Sequence, residues 1–152
     1  MDTISSAWRR TAKSRLRFEL AGLALACQKG LGPQGYAQHL WGKGARRWMG
    51  KAMPSASEYL LKEAQALRQL YPEVCFSIEE AEDDWAQLVF REGCLGGWGK
   101  NPWALAASLG LMKEEVCAYC QEAFSVWAEQ IGLRAFIGPD GDESCRLVVI
   151  KE

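Results

Sequence analysis

Apolar residues keep a helical period up to Tyr71, and the period drops to two at Val74. Three- and four-residue steps mark a face of a helix, whereas strict alternation marks one side of a strand. A chain that makes this change cannot be all-helical or all-strand. In the helical part, residues 4–28 carry a stripe of Trp8, Ala12, Arg15, Phe18 or Glu19, Gly22, Leu25 and Ala26. The glycines and Pro33 of residues 29–33 end that helix. A weaker helix over 34–49 is interrupted by Gly42 and Gly44. Ser55-x-x-Glu58 is a capping box, and it opens a third helix with Leu60, Ala64, Leu67 and Tyr71 on one stripe.

After Pro72, residues 74–79 and 85–91 read as two strands around the acidic turn 80–84. A glycine-rich loop over 93–101 follows. Asn101-Pro102 begins a short helix to Leu109, and residues 113–131 form a long one that Gly132 stops. Residues 134–137 and 144–151 are the last two strands, joined by the turn 138–142. The order is ααα-ββ-αα-ββ. It predicts an α+β protein in which a helical N-terminal half packs on an antiparallel sheet of two hairpins. Residues 1–152 form one domain, with 1–71 the helical part and 72–152 the sheet part.

Hydrophobic residues make up 49% of the chain and seven are Trp, enough for a packed core. Charge is uneven although the net is −1. Residues 1–57 hold ten Lys/Arg against Asp2 and Glu19, while 58–152 hold eight against seventeen acidic residues. Without the fingerprint of a nucleic-acid module, the two regions are expected to complement each other within one fold or across a homodimer, with no nucleic-acid partner. The apolar run 20–27 is too short to span a bilayer and lacks a secretory layout, so a cytoplasmic protein is expected.

In a reducing compartment, clustered cysteines more often bind metal or react than form disulfides. Cys94, Cys117, Cys120 and Cys145 all lie in the last third of the chain. Cys117 and Cys120 are three apart in the first two turns of a helix, so their sulfurs share a face and the helix dipole favours thiolate. Cys94 follows the second strand and Cys145 begins the fourth. If those strands are antiparallel neighbours, all four sulfurs can meet. Four thiolates suit zinc in a closed, structural site. The same ligands would hold an iron–sulfur cluster, and ordinary buried thiols or a redox dithiol are the alternatives. Glu92, Glu122 and Glu143 are substitute ligands, and Cys27 and Cys75 read as core residues.

Tyr36, Trp41, Trp48, Trp85, Trp98, Trp103 and Trp127 are candidates to line an apolar ligand cavity, with an indole N–H or His39 orienting a polar group. Trp98 and Trp103 flank the glycine loop beside Cys94 and are the candidates for its mouth. His39 is the one histidine, and no G-x-S-x-G elbow or phosphate-binding Gly-Lys-Ser/Thr accompanies it.

The tail from Trp85 to Lys151 resembles the 4-vinyl-reductase-like ligand-binding domains and the related L-2-amino-thiazoline-4-carboxylic acid hydrolase-like proteins. These share the fold of a Golgi-transport component, a helical half on an antiparallel sheet. The phenol-sensing regulators of that group have a structural zinc beside the ligand pocket. Its first three ligands follow a Cys-x22-Glu-x2-Cys spacing, which Cys94, Cys117 and Cys120 reproduce with Cys117 in place of Glu. Their fourth ligand lies nearer in sequence than Cys145 does here. The G-D-x-x-C run of Gly141 to Cys145 is similar to the tail of the hydrolase-like relatives. The resemblance covers about the last 70 residues and the helical half by layout alone. It implies a pocket for a small apolar or aromatic ligand between helices and sheet, often in a homodimer.

The expectation is thus a small-molecule-binding protein with a structural cysteine-ligated metal, zinc. One alternative is a hydrolase of the thiazoline-carboxylate type, with Cys94 or Cys145 as nucleophile or a metal-activated water. The other is a non-catalytic dimeric interaction module.

Overall fold

A computed structural model describes residues 4–93, 102–141 and 144–152. Helix α1 (Ser6–Gln28) starts where Ser5 Oγ accepts the Trp8 N–H at 3.0 Å, satisfying one of the free donors of the first turn. Its buried residues are Ala12, Leu16, Leu20, Leu23, Ala24 and Ala26. Of the two residues that could take one place on the inner stripe, Phe18 is 79% exposed and Glu19 faces inward. Gly30 and Gly32 adopt positive φ and turn the chain into α2 (Gly32–Trp41). Pro33 therefore opens a helix as well as ending one, since its missing N–H costs nothing in a first turn. The single helix expected over 34–49 is two. Gly44, at φ 106°, separates α2 from α3 (Ala45–Met49).

Helix α4 (Ala56–Leu70) has the capping box in full, with Glu58 N–H on Ser55 Oγ at 3.1 Å and Ser55 N–H on Glu58 Oε2 at 2.8 Å. Two further free donors of its first turn, Ala56 N–H and Ser57 N–H, reach the carbonyls of Asp83 and Glu82 at 2.8 and 3.1 Å. The acidic turn thus serves the helix through its backbone.

Strands β1 (Phe76–Ala81), β2 (Trp85–Phe90), β3 (Arg134–Pro139) and β4 (Cys145–Ile150) form one antiparallel sheet in the order β1-β2-β4-β3. Strand β1 runs two residues later than its alternation suggested, with an irregularity between Ile78 and Glu80. Between β2 and β3 lie α5 (Pro102–Ser108) and α6 (Lys113–Glu129). The layout is α+β, with helices first and strands in the C-terminal half. On the inner face, Leu88 pairs with Leu147 and Ala86 with Val149, and all four are buried. Helix α6 packs on β3 and α2, and α4 packs on β2. Basic and acidic regions meet within the chain, as in the Arg9–Glu73 ion pair at 3.2 Å. Among the described residues, no helix is long and apolar enough to cross a membrane.

Candidate functional site

Three helices leave a gap between them where large side chains meet without filling the space. Helix α1 contributes Arg15, Leu16, Glu19 and Leu20 at helical spacing, and α4 contributes Glu63, Ala66, Leu67 and Leu70. Helix α6 adds the face running from Val116 through Tyr119, Ala123 and Phe124 to Trp127, and Trp41 and Trp48 come from α2 and α3. The cavity they enclose has a volume of about 250 Å³. Its walls are mostly apolar, as in small-molecule sites.

The indoles form a connected wall. Trp127 stands edge-on to Trp41 at 5.6 Å and lies 5.7 Å from Trp48, which in turn contacts Tyr59 at 6.1 Å. At the other end is a polar network. Arg15 reaches Glu19 at 3.4 Å and Tyr71 Oη at 3.1 Å. Trp41 Nε1–H donates to Tyr119 Oη at 2.9 Å, and Tyr36 Oη–H donates to the Glu19 carbonyl at 2.9 Å. Burial pushes the Glu19 carboxyl above its ordinary range, and Arg15 and a Tyr119 hydrogen bond oppose that rise. Arg15 Nε is buried with no hydrogen-bond partner.

Glu63 differs from Glu19 in having no ion-pair partner among the described residues. Its Oε2 is buried without a partner, as is the hydroxyl of Tyr59 one helical turn earlier. Burial raises the Glu63 carboxyl to about 7, and the nearby phenol of Tyr59 offsets only part of that rise. A carboxyl that titrates near neutrality inside a cavity is a mark of a functional site.

The sequence-derived pocket residues divide. Trp41, Trp48 and Trp127 line this cavity, and Tyr36 packs behind it on Tyr119 at 5.3 Å. Trp85 alternates with the inward Ala86 and Leu88, so it faces out from the sheet and is 37% exposed. His39 is exposed on α2 and lines no part of the cavity. Trp98 lies outside the described residues. Arg15, Glu19, Glu63 and Tyr119 were missed as site residues. The available signal was the presence of charged residues on otherwise apolar helical stripes.

A second, smaller cleft of about 110 Å³ lies beside the cavity, and Val116 and Cys120 border both. Cys117, Cys120, Cys145, Trp103 and Gly93 line it. Helix α6 places Cys117 and Cys120 there, and β4 places Cys145, which is in register with Phe90 at the end of β2. The strand neighbourhood on which cysteine convergence depends is therefore present. Cys94 follows Gly93 and lies outside the described residues, as does Glu143. Among the described residues, no three His, Cys, Asp or Glu side chains are gathered as a metal ion requires. Glu122 instead accepts from Gln38 at 2.9 Å, and Glu92 is exposed.

The expected thiolate character of Cys117 does not appear. Burial raises this thiol, and the nearby Lys113 charge offsets only part of that rise. Burial and the neighbouring Cys117 push Cys145 up to about 11. Any metal at these sulfurs would have to displace their protons. Cys27 packs against the core, and Cys75 is half-buried. Cys27, Cys75, Cys117 and Cys145 form no disulfide among the described residues.

No protein-family model matches the chain, and no curated protein matches it either.

Proposed function

We propose that this chain is a small-molecule-binding protein and that its ligand, small and largely apolar, occupies the cavity between α1, α4 and α6. One observation carries this reading: an indole-walled cavity of about 250 Å³ holds a buried carboxyl oxygen and a buried guanidinium nitrogen, neither of which has a partner. Buried polar groups without partners are costly, and a ligand that supplies the missing contacts recovers that cost. The neutral fluorescent probe N-phenyl-1-naphthylamine tests the reading. Uptake should brighten its emission, and Ala123→Phe or Ala66→Phe, which fill the cavity from α6 and α4, should weaken uptake about tenfold or more. Unchanged uptake in both folded variants rejects the cavity as the binding site.

A different observation favours a metal as a second component of the proposal. Cys117, Cys120 and Cys145 share one cleft with Gly93, the residue before Cys94. Four thiolates there would make a closed zinc site that ties α6 to the sheet and serves a structural role. The hydrolase reading has less support. The described lining of that cleft includes no histidine or carboxylate to act as a base. Pairing with a second copy would use the outer sheet face, where Trp85 and Phe136 are exposed. Thiols without a disulfide at Cys27, Cys75, Cys117 and Cys145 suit the cytoplasm.

A further inference from the structure

The cavity contains two acidic side chains and one basic one, and they are not equivalent. Arg15 and Glu19 neutralise each other across 3.4 Å on the same helix, and Tyr71 takes a further guanidinium N–H. Glu63 forms no ion pair among the described residues, and its inner oxygen is orphaned. When Glu63 ionises, the cavity therefore carries one unmatched negative charge. Next to it runs the aromatic wall. Tyr59, one turn before Glu63 on α4, packs against Trp48, and Trp48 packs against Trp127. The negative faces of indole rings attract cations and repel anions. Trp48 already draws one, since Lys62 Nζ stands 5.3 Å from its ring. A carboxylate lacking a counter-ion beside several rings is the chemistry that recognises an ammonium group.

We propose that the ligand is a protonated amine with an apolar body, its ammonium seated between Glu63 and the rings of Trp48 and Trp127. This rests on the cavity reading above and adds the chemical class of the ligand. The apolar body would extend along Leu67, Leu70 and Phe124, which line the same cavity. Binding would require Glu63 to ionise, so uptake would release a proton and strengthen as pH rises. Several other groups face this space: Tyr59 from α4, Tyr71 beyond its end, Arg15 and Glu19 from α1, and Tyr119 and Cys120 from α6. Of these, Glu19 is the other raised carboxyl, and it is held by Arg15. A Glu63 variant separates the two.

The test is calorimetric titration of the full chain with 2-phenylethylamine, 2-phenylethanol and 3-phenylpropionate, which differ chiefly in the polar group. At pH 8 the amine should bind about tenfold or more tighter than the alcohol. Its affinity should fall about tenfold at pH 6, since Glu63 with a carboxyl near 7 is then mostly protonated. Glu63→Gln is close to isosteric, and its folding is checked by thermal unfolding. It should abolish both the amine preference and the pH dependence while leaving the alcohol within about twofold. Equal or tighter binding of the alcohol or the carboxylate overturns the amine proposal and leaves the cavity reading standing. Amine binding that ignores Glu63→Gln, or keeps its pH dependence in that variant, also overturns it. So does a failure of the amine to bind in protein that still takes up N-phenyl-1-naphthylamine. Failure of all four compounds removes the cavity reading itself.

Discussion

Replacing Glu63 by Gln in the ligand-free protein should change how stability depends on pH, and the size of the change follows from the burial of one carboxyl. In the unfolded chain this group ionises near 4.5, and in the folded chain near 7, because the cavity withholds water from the charged form. Between those values the unfolded state has given up a proton that the folded state keeps. The raised carboxyl therefore adds nothing below about 4.5, erodes stability as pH rises toward 7, and levels off above. At about 1.4 kcal/mol per pH unit, the gap corresponds to roughly 3 kcal/mol in total, most of which falls between pH 5 and pH 8. Gln cannot ionise, so Glu63→Gln should escape that loss. Urea unfolding of both proteins at pH 5 and pH 8, with equal slopes to confirm comparable unfolded states, gives the numbers. The stability of the variant relative to the parent should rise by about 2–3 kcal/mol between the two pH values. Any constant cost of burying the amide cancels in that difference. Parallel behaviour, within about 0.5 kcal/mol at both pH values, would show that water reaches Glu63 and that the cavity does not perturb it.

Two other substitutions and one analysis test different parts of the structure. Gly22→Ala should destabilise by about 1–3 kcal/mol despite the better helix propensity of alanine, because a Cβ there collides with Tyr36 Oη, and Tyr36→Phe in the same chain should recover much of the loss. Ser55→Ala should cost about 1 kcal/mol in urea unfolding, since it removes the side-chain half of the α4 capping box. Elemental analysis of the purified protein should find about one zinc per chain, with a chelator accelerating thiol labelling of Cys117, Cys120 and Cys145; metal-free protein with thiols that label at one unchanging rate would dismiss the metal.

Much of the architecture was legible in the residues because local rules agreed with the tertiary arrangement. Ser55-x-x-Glu58 is a capping box in the structure as in the sequence. The elements after the acidic turn fall within a few residues of their sequence bounds. Disagreements arose where periodicity was ambiguous. Phe18 and Glu19 are adjacent on α1, and hydrophobicity favours Phe18 facing in, yet Arg15 one turn earlier and Tyr119 on a distant helix give the Glu19 carboxyl its partners. Strand β1 starts late, and Glu80 and Ala81, expected in the turn, belong to the strand. For the site, three of the six aromatic candidates among the described residues line the cavity, while the charged residues that distinguish it went unread.

Sequence alone decided the element order apart from the split of the second helix into α2 and α3, the hairpin pairing and which helix carries the Cys117–Cys120 pair, because each depends on spacing along a few turns or one strand. Only the tertiary structure decided that Glu63 lines a cavity with indoles from three other helices and has no ion-pair partner among the described residues, and that Trp85 faces out. Burial is a property of everything packed around a group, and a carboxylate on one helix has no information about what the neighbouring helices bring to it.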